Sequence, residues 1–221
     1  GVLIHYLLHD RPEASARLTT RDDQGNAVRV FTAPPLNQGL NRIVWDMRHK
    51  SAEQLEGPGE RVPLAGPIAL QGAYRVCLDI GGLSLVQPFE LLHDPRTSVT
   101  DAALRDQFSL LLEIRDSITT THTLVSQIRH ISTQIEDWLG RAQTAPTYAE
   151  LRTAGDELKA KLSAIEHNLV QVDAQDLEDT LTLPVKLNSK LAVLAIAVAL
   201  GDYGPTKQTK ELFQELSVKL E

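Results

Sequence analysis

The stretch that decides the fold of the first part of the chain is 40–48, Leu40-Asn41-Arg42-Ile43-Val44-Trp45-Asp46-Met47-Arg48. Alternate side chains of a strand point to opposite faces, so Ile43, Trp45 and Met47 share one face. This pattern predicts a half-buried strand in which Trp45 is the core tryptophan of a β-sandwich. The alternative is a Trp45 that faces solvent, so that a sugar stacks on its indole.

Alternating or β-branched segments also occur on both sides of this stretch. We expect strands near 2–9, 15–21, 27–32, 40–48, 73–80 and 83–92. Two glycine-containing turns, Asp23-Gln24-Gly25-Asn26 and Gly81-Gly82, predict hairpins, because glycine reaches positive φ without strain. Residues 51–72 contain Pro58, Gly59 and Pro63 and predict a long irregular connection. The first 95 residues therefore predict an antiparallel sandwich of immunoglobulin or fibronectin III type.

The second part of the chain has a helical period. Apolar residues recur at spacings of three, four and seven from Leu104 to Trp138, which predicts one helix of about 60 Å over 100–141. We expect a second helix after Pro146, opened by a capping box from Thr147 to Glu150. A third is predicted over 188–200, and a fourth begins with Pro205 in its first turn. The fold class is thus α+β in two domains, a sandwich over 1–95 and an α-helical bundle over 96–221.

Composition narrows the class of protein. The 221 residues carry a net charge of -7, which argues against nucleic acid as a partner, because the phosphate backbone favours a basic surface. The single cysteine, Cys77, excludes an internal disulfide. The apolar run 191–200 is too short to span a membrane, for which about 20 residues are needed. Because no initiator methionine or basic leader opens the chain, we interpret it as a fragment or as mature protein cut from a longer one.

No motif of a self-contained active site occurs in the sequence. The phosphate-binding loop, His-Glu-x-x-His, Cys-x-x-Cys and Gly-x-Ser-x-Gly are all missing. His5 and His9 share a strand face, but at a separation of about 13 Å they do not ligate one metal ion. His122 interrupts the apolar stripe of the long helix and is interpreted as a hydrogen-bonded core or interface histidine. We therefore predict no catalytic residue, no metal site and no cofactor.

A longer series of motifs resembles a known family. In chain order the motifs are Gly1-Val2-Leu3-Ile4-His5-Tyr6, Gly39 to Arg48, Gly72-Ala73-Tyr74-Arg75-Val76, Asp94-Pro95-Arg96, Leu187-Asn188-Ser189-Lys190-Leu191 and Gly201-Asp202-Tyr203-Gly204-Pro205-Thr206. This order resembles the C-terminal region of large bacterial propeller proteins with sortilin-like or BNR (sialidase-type) repeats, often labelled glycosyl hydrolases. The part from Gly39 to Val76 also resembles the Ig-like domain of flagellar hook-capping proteins.

The resemblance implies a role outside the catalytic part of such a protein. Sialidase-like chemistry would lie in the propeller blades, whose motif Ser-x-Asp-x-Gly-x-x-Trp does not occur here. The resemblance further implies an N-terminal β-propeller of the same parent chain as the partner, and an extracytoplasmic location, periplasmic or secreted.

Three hypotheses about function follow. The leading one is a non-catalytic C-terminal accessory module that supports packing or oligomerisation of the parent protein, including a homodimer through the long helix. The alternative is a glycan- or peptide-binding module of a secreted glycoside hydrolase, with Tyr6, Trp45 and Tyr74 as the binding residues. A third hypothesis, an enzyme with its own site, requires titratable groups such as His5, Asp46 and His122 to converge in a cleft.

Overall fold

A computed structural model describes residues 1–57, 62, 65–174, 179 and 182–220 of the chain. They form six strands and four α-helices. The strands are β1 (Val2–Leu8), β2 (Ala16–Arg21), β3 (Ala27–Phe31), β4 (Gly39–Trp45), β5 (Gly72–Ile80) and β6 (Leu83–Leu91). The helices are α1 (Asp101–Arg141), α2 (Tyr148–Leu169), α3 (Leu187–Ala199) and α4 (Lys207–Ser217), followed by a short 3-10 turn. The mixed α+β class and its one long helix are therefore confirmed.

The strands form two antiparallel sheets. β1 pairs with β4, and the second sheet has the order β3-β2-β5-β6. The two predicted hairpins are confirmed: Gly25 (φ 86°) lies in the turn between β2 and β3, and Gly81 and Gly82 (φ 55° and 88°) join β5 to β6. The immunoglobulin-like arrangement of these sheets stays a prediction.

An aromatic cluster holds the two sheets together. The ring of Trp45 on β4 lies 5.8 Å from that of Tyr74 on β5 and 6.1 Å from that of Phe89 on β6. The Trp45 side chain is fully buried, and its Nε1–H donates a hydrogen bond to the Arg48 carbonyl (2.9 Å). The core around it also contains Ile4, Leu18, Val28, Ala69 and Leu78. Trp45 is thus a core residue, as the strand pattern predicts.

The helices begin and end near the predicted positions, but two cap predictions are wrong. Thr147 precedes α2 without a side-chain capping hydrogen bond, because its φ and ψ (-93°, 12°) differ from the extended geometry that N-caps adopt. α4 begins at Lys207 after the N-cap Thr206, whose hydroxyl accepts from the Thr209 N–H, so Pro205 lies outside the helix.

The chain divides into two units. The first comprises 1–51, 65–112 and 201–204, and the second comprises 52–64, 113–200 and 205–221. The predicted domains, 1–95 and 96–221, stay a prediction. In the predicted irregular connection 51–72, the described residues before β5 contain neither helix nor strand, apart from a bridge between Ile68 and Arg48. Pro58, Gly59 and Pro63 lie outside the described residues.

We expect the Trp45→Ala substitution to lower the free energy of unfolding of the strand-rich unit by about 3–5 kcal/mol, since it removes a fully buried indole and its ring contacts. Urea unfolding followed by circular dichroism measures the change. Leu92→Ala is the control, because Leu92 belongs to the same unit, is 79% exposed, and its truncation is expected to change the free energy by less than about 1 kcal/mol. Equal losses for both variants would contradict the central place of Trp45 in the core.

Candidate docking face

The outer face of the β1–β4 sheet is the candidate functional site. With Ile4 and Trp45 buried, strand alternation turns their neighbours outward. The register then places three cross-strand pairs on this outer face, Leu3–Val44, His5–Arg42 and Leu7–Leu40. We call these six residues the β1–β4 outer face.

The apolar residues of this face are unusually open to solvent. Leu3, Leu7, Leu40 and Val44 are between 55% and 71% exposed. Single exposed leucines are common on protein surfaces, but here two directly opposed pairs belong to one sheet face. Clustered exposed apolar side chains of this kind are typical of interaction sites.

A polar pair lies in the middle of the face. His5 and Arg42 are directly opposed, and both are exposed. Within the described part of the chain, no hydrogen bond or ion pair engages either side chain. A partner that covers the face must therefore supply an acceptor, because a buried guanidinium without one costs several kcal/mol.

The sheet that carries this face has two open edges. Among the described residues, β1 and β4 pair only with each other. Each strand therefore presents one row of backbone N–H and C=O groups to which a further strand can bind.

The β1–β4 outer face is not among the sites that the sequence predicts. In β1 the apolar run Val2-Leu3-Ile4 and the run Tyr6-Leu7-Leu8 contain large residues on both faces, which conceals the alternation. The available signal was the presence of Leu40 and Val44 on the face of β4 opposite Trp45. A strand with apolar residues on both faces indicates two covered faces.

The three predicted binding residues lie elsewhere. Trp45 and Tyr74 are buried, and the Tyr74 hydroxyl donates to the Leu70 carbonyl (2.7 Å). Tyr6 is half-buried on the inner side of β1, and its hydroxyl donates to the Pro35 carbonyl (2.6 Å). Burial raises the pKa of Tyr6, and burial followed by the negative charges of Asp22 and Asp23 raises the pKa of Tyr74. Their role in binding stays a prediction, and the burial of Trp45 and Tyr74 weighs against it.

His122 is buried in the helical unit, as its position on the apolar stripe predicts. Its Nδ1–H donates to the Glu53 carbonyl (2.7 Å), and the neighbouring Thr119 hydroxyl accepts from the Glu53 N–H (3.2 Å). Burial lowers the pKa of His122, partly opposed by the hydrogen bond to Glu53. The neutral ring therefore helps to hold the segment around Glu53 on α1.

The remaining candidate residues concern metal binding and cysteine chemistry. Within the described ranges, no three His, Cys, Asp or Glu side chains lie close enough together to hold a metal ion. Cys77 is buried on β5, opposite Thr19 of β2 and Val86 of β6.

Comparison with known proteins gives no match: no family model, curated protein or solved structure resembles this chain closely enough. In the part of the chain that the structure describes, no helix combines the length and apolar character needed to cross a bilayer.

We expect the stability of the helical unit to fall as the pH is lowered. Histidine in the unfolded chain titrates at a pKa of about 6.5, and the pKa of folded His122 lies below that value. The unfolded state then binds more protons, so the stabilisation is present above about pH 6.5 and is lost as the pH falls towards the folded pKa. Urea unfolding of the helical circular dichroism signal at several pH values measures this loss.

His122→Asn tests the assignment, because its amide can still donate to the Glu53 carbonyl but does not titrate. This variant is expected to lose part of the pH dependence, whereas His130→Asn, at an exposed position on the same helix, is expected to keep it. Identical pH profiles for wild type and His122→Asn would show that His122 is not responsible.

Proposed function

We propose that this chain is a non-catalytic accessory module that docks on another domain of a larger protein through the β1–β4 outer face. The observation that carries the proposal is the paired set of exposed apolar side chains, Leu3–Val44 and Leu7–Leu40. The parent we propose is a secreted or periplasmic bacterial propeller protein with BNR or sortilin-like repeats, related to glycosyl hydrolases. The propeller of that parent is the proposed partner.

The energetics of the face support docking. Full burial of a leucine or valine side chain contributes about 1.5–3 kcal/mol, so covering the exposed half of four such residues contributes about 3–6 kcal/mol. This gain is small for two free molecules, which lose translational and rotational freedom on association. It is sufficient for a domain tethered to its partner in one chain, because the tether raises the effective concentration.

The central pair adds selectivity to the face. Arg42 and His5 favour a partner surface that places a carboxylate or a backbone carbonyl between two apolar patches. A purely apolar partner would leave the guanidinium desolvated, and a basic partner would repel it.

The second candidate function is peptide binding at the same sheet. The open edges of β1 and β4 favour it, since an extended segment can add as a further strand and form main-chain hydrogen bonds. The two candidates differ in the atoms that they use, because edge binding depends on the backbone and docking depends on outward side chains.

We expect the double substitution Leu7→Lys with Leu40→Lys, made in the intact parent protein, to weaken binding of this module to the tethered remainder by at least about tenfold. Two outward apolar contacts are lost and two charges are desolvated. Förster energy transfer between a label on this module and a label on the remainder measures the docked fraction.

Leu83→Lys is the control, because Leu83 is similarly exposed but lies on β6, in the other sheet. It is expected to bind as the wild type does, with both proteins melting at the same temperature. Unchanged binding by the double variant would reject docking through this face. Competition by an unrelated extended peptide would favour the edge instead.

A further inference from the structure

The last part of α1 and the whole of α2 form an antiparallel helical hairpin. Arg129 Nε donates to Glu166 Oε1 (2.7 Å), and Lys159 Nζ donates to Glu136 Oε1 (2.5 Å). From the first ion pair to the second, α1 advances by seven residues while α2 goes back by seven. The two helices therefore run in opposite directions in a constant register.

A close contact identifies the faces that meet. A Cβ added to Gly155 would lie 3.1 Å from side-chain atoms of both Ile135 and Leu139. Around this contact the facing residues alternate at spacings of four and three, as in a coiled-coil seam. The seam contains Ile128, Ser132, Ile135 and Leu139 on α1, and Gly155, Lys159, Leu162, Glu166 and Leu169 on α2.

Beside the seam lies a second set of apolar residues that stay largely exposed in the described chain, although the Arg141 guanidinium lies over the Trp138 ring, 4.8 Å from its centroid. Its members are spaced by seven residues on each helix and are between 40% and 67% exposed. They are Ile131 and Trp138 on α1, and Leu151, Leu158 and Ile165 on α2. We call these five residues the hairpin column.

The hairpin column lies on one side of the hairpin. Ile131, Trp138, Leu158 and Ile165 each come one residue before a seam position, and Leu151 continues the seven-residue spacing of Leu158 and Ile165 on α2. In an antiparallel pair of helices, the positions just before the seam on one helix lie beside those just before the seam on the other. The five side chains therefore belong to one surface. Arg129 and Glu136 come one residue after a seam position, which puts the ion pairs on the opposite side.

A two-helix hairpin does not require this second set of apolar residues. A strict seam is sufficient for a pair of helices, whereas helices of a larger bundle have a wider apolar face that includes one flank of the seam. The sequence of α1 and α2 therefore has the pattern of a bundle with more than two helices at this place.

We propose that the hairpin column is covered by the same column of a second copy of this chain, so that two hairpins form a four-helix bundle. The register of the two ion pairs puts Trp138 and Leu158 at the same height along the hairpin, in a central layer. Ile131 and Ile165 form the next layer towards one end, and Leu151 lies towards the other end. A two-fold axis through the central layer puts Leu151 of each copy over the Ile131–Ile165 layer of the other. The column is thus self-complementary, as a two-fold interface requires.

Area and charge agree with a second copy as the occupant. At these exposures the five side chains offer about 500 Å² per copy, so that two copies bury about 1,000 Å², the lower end for a specific interface. None of the five residues is charged, and the Arg141 guanidinium that lies over the Trp138 ring turns towards solvent when a second copy covers that ring. The inference is independent of the proposed docking function, because the hairpin column and the β1–β4 outer face share no residue.

Light scattering after gel filtration, over a range of concentrations, tests the proposal. We expect the molar mass to rise from that of one chain to that of two as the concentration increases. Leu158→Glu is expected to leave a monomer with an unchanged circular dichroism spectrum, because the position is exposed in the single chain. Val193→Glu, at an exposed position on α3, is the matched control and is expected to dimerise as the wild type does.

A cross-linking experiment tests the central layer directly. In a background with Cys77→Ala, the Trp138→Cys variant is expected to form a disulfide-linked dimer under mild oxidation. Asp137→Cys, one residue away and directed off the column, is expected to dimerise as the wild type does but to form no disulfide-linked dimer. A wild-type chain that stays monomeric at every concentration would overturn the proposal. A dimer that persists in the Leu158→Glu variant would also contradict the proposal. So would loss of the dimer in the Leu7→Lys, Leu40→Lys double variant, because those substitutions lie on the β1–β4 outer face.

Discussion

The burial of the Trp45 indole is the constraint on which the strand-rich unit depends. Its ring contacts Tyr74 and Phe89 on the other sheet, and its Nε1–H is satisfied by the Arg48 carbonyl. Because side chains alternate, directing Trp45 inward directs Val44 and Arg42 outward, and the register with β1 then fixes the positions of Leu3 and His5. A slip of one residue in β4 would expose Trp45 and bury Arg42, so the core and the outer face are specified together.

Much of the fold could be predicted from local patterns. Turn residues such as Gly25 and Gly81 marked the hairpins, and the change from period two to a helical period separated the strands from α1. Details that depend on one torsion angle could not be predicted. Thr147 has the residue type and the spacing of a capping box, but its backbone conformation does not allow the capping hydrogen bond.

The candidate site was harder to predict than the fold. Alternation tells which residues share a face, and Trp45 told which face of β4 is the core. In β1 the same rule is weak, since apolar residues occupy both faces. Whether an outward leucine such as Leu40 is covered by another part of the protein depends on surroundings beyond the strand itself. Aromatic residues are ambiguous as binding candidates for a related reason: Tyr74 and Trp45 are suited to stacking on a ligand, and equally to packing against each other.

The polar pair in the middle of the β1–β4 outer face has a consequence for the newly synthesised chain. A two-stranded sheet with open edges and outward leucines is the type of surface that promotes aggregation. Arg42 interrupts the apolar surface at its centre, so two copies that meet face to face bring two guanidinium groups together. The arginine therefore acts as a gatekeeper that opposes irreversible clustering of identical chains.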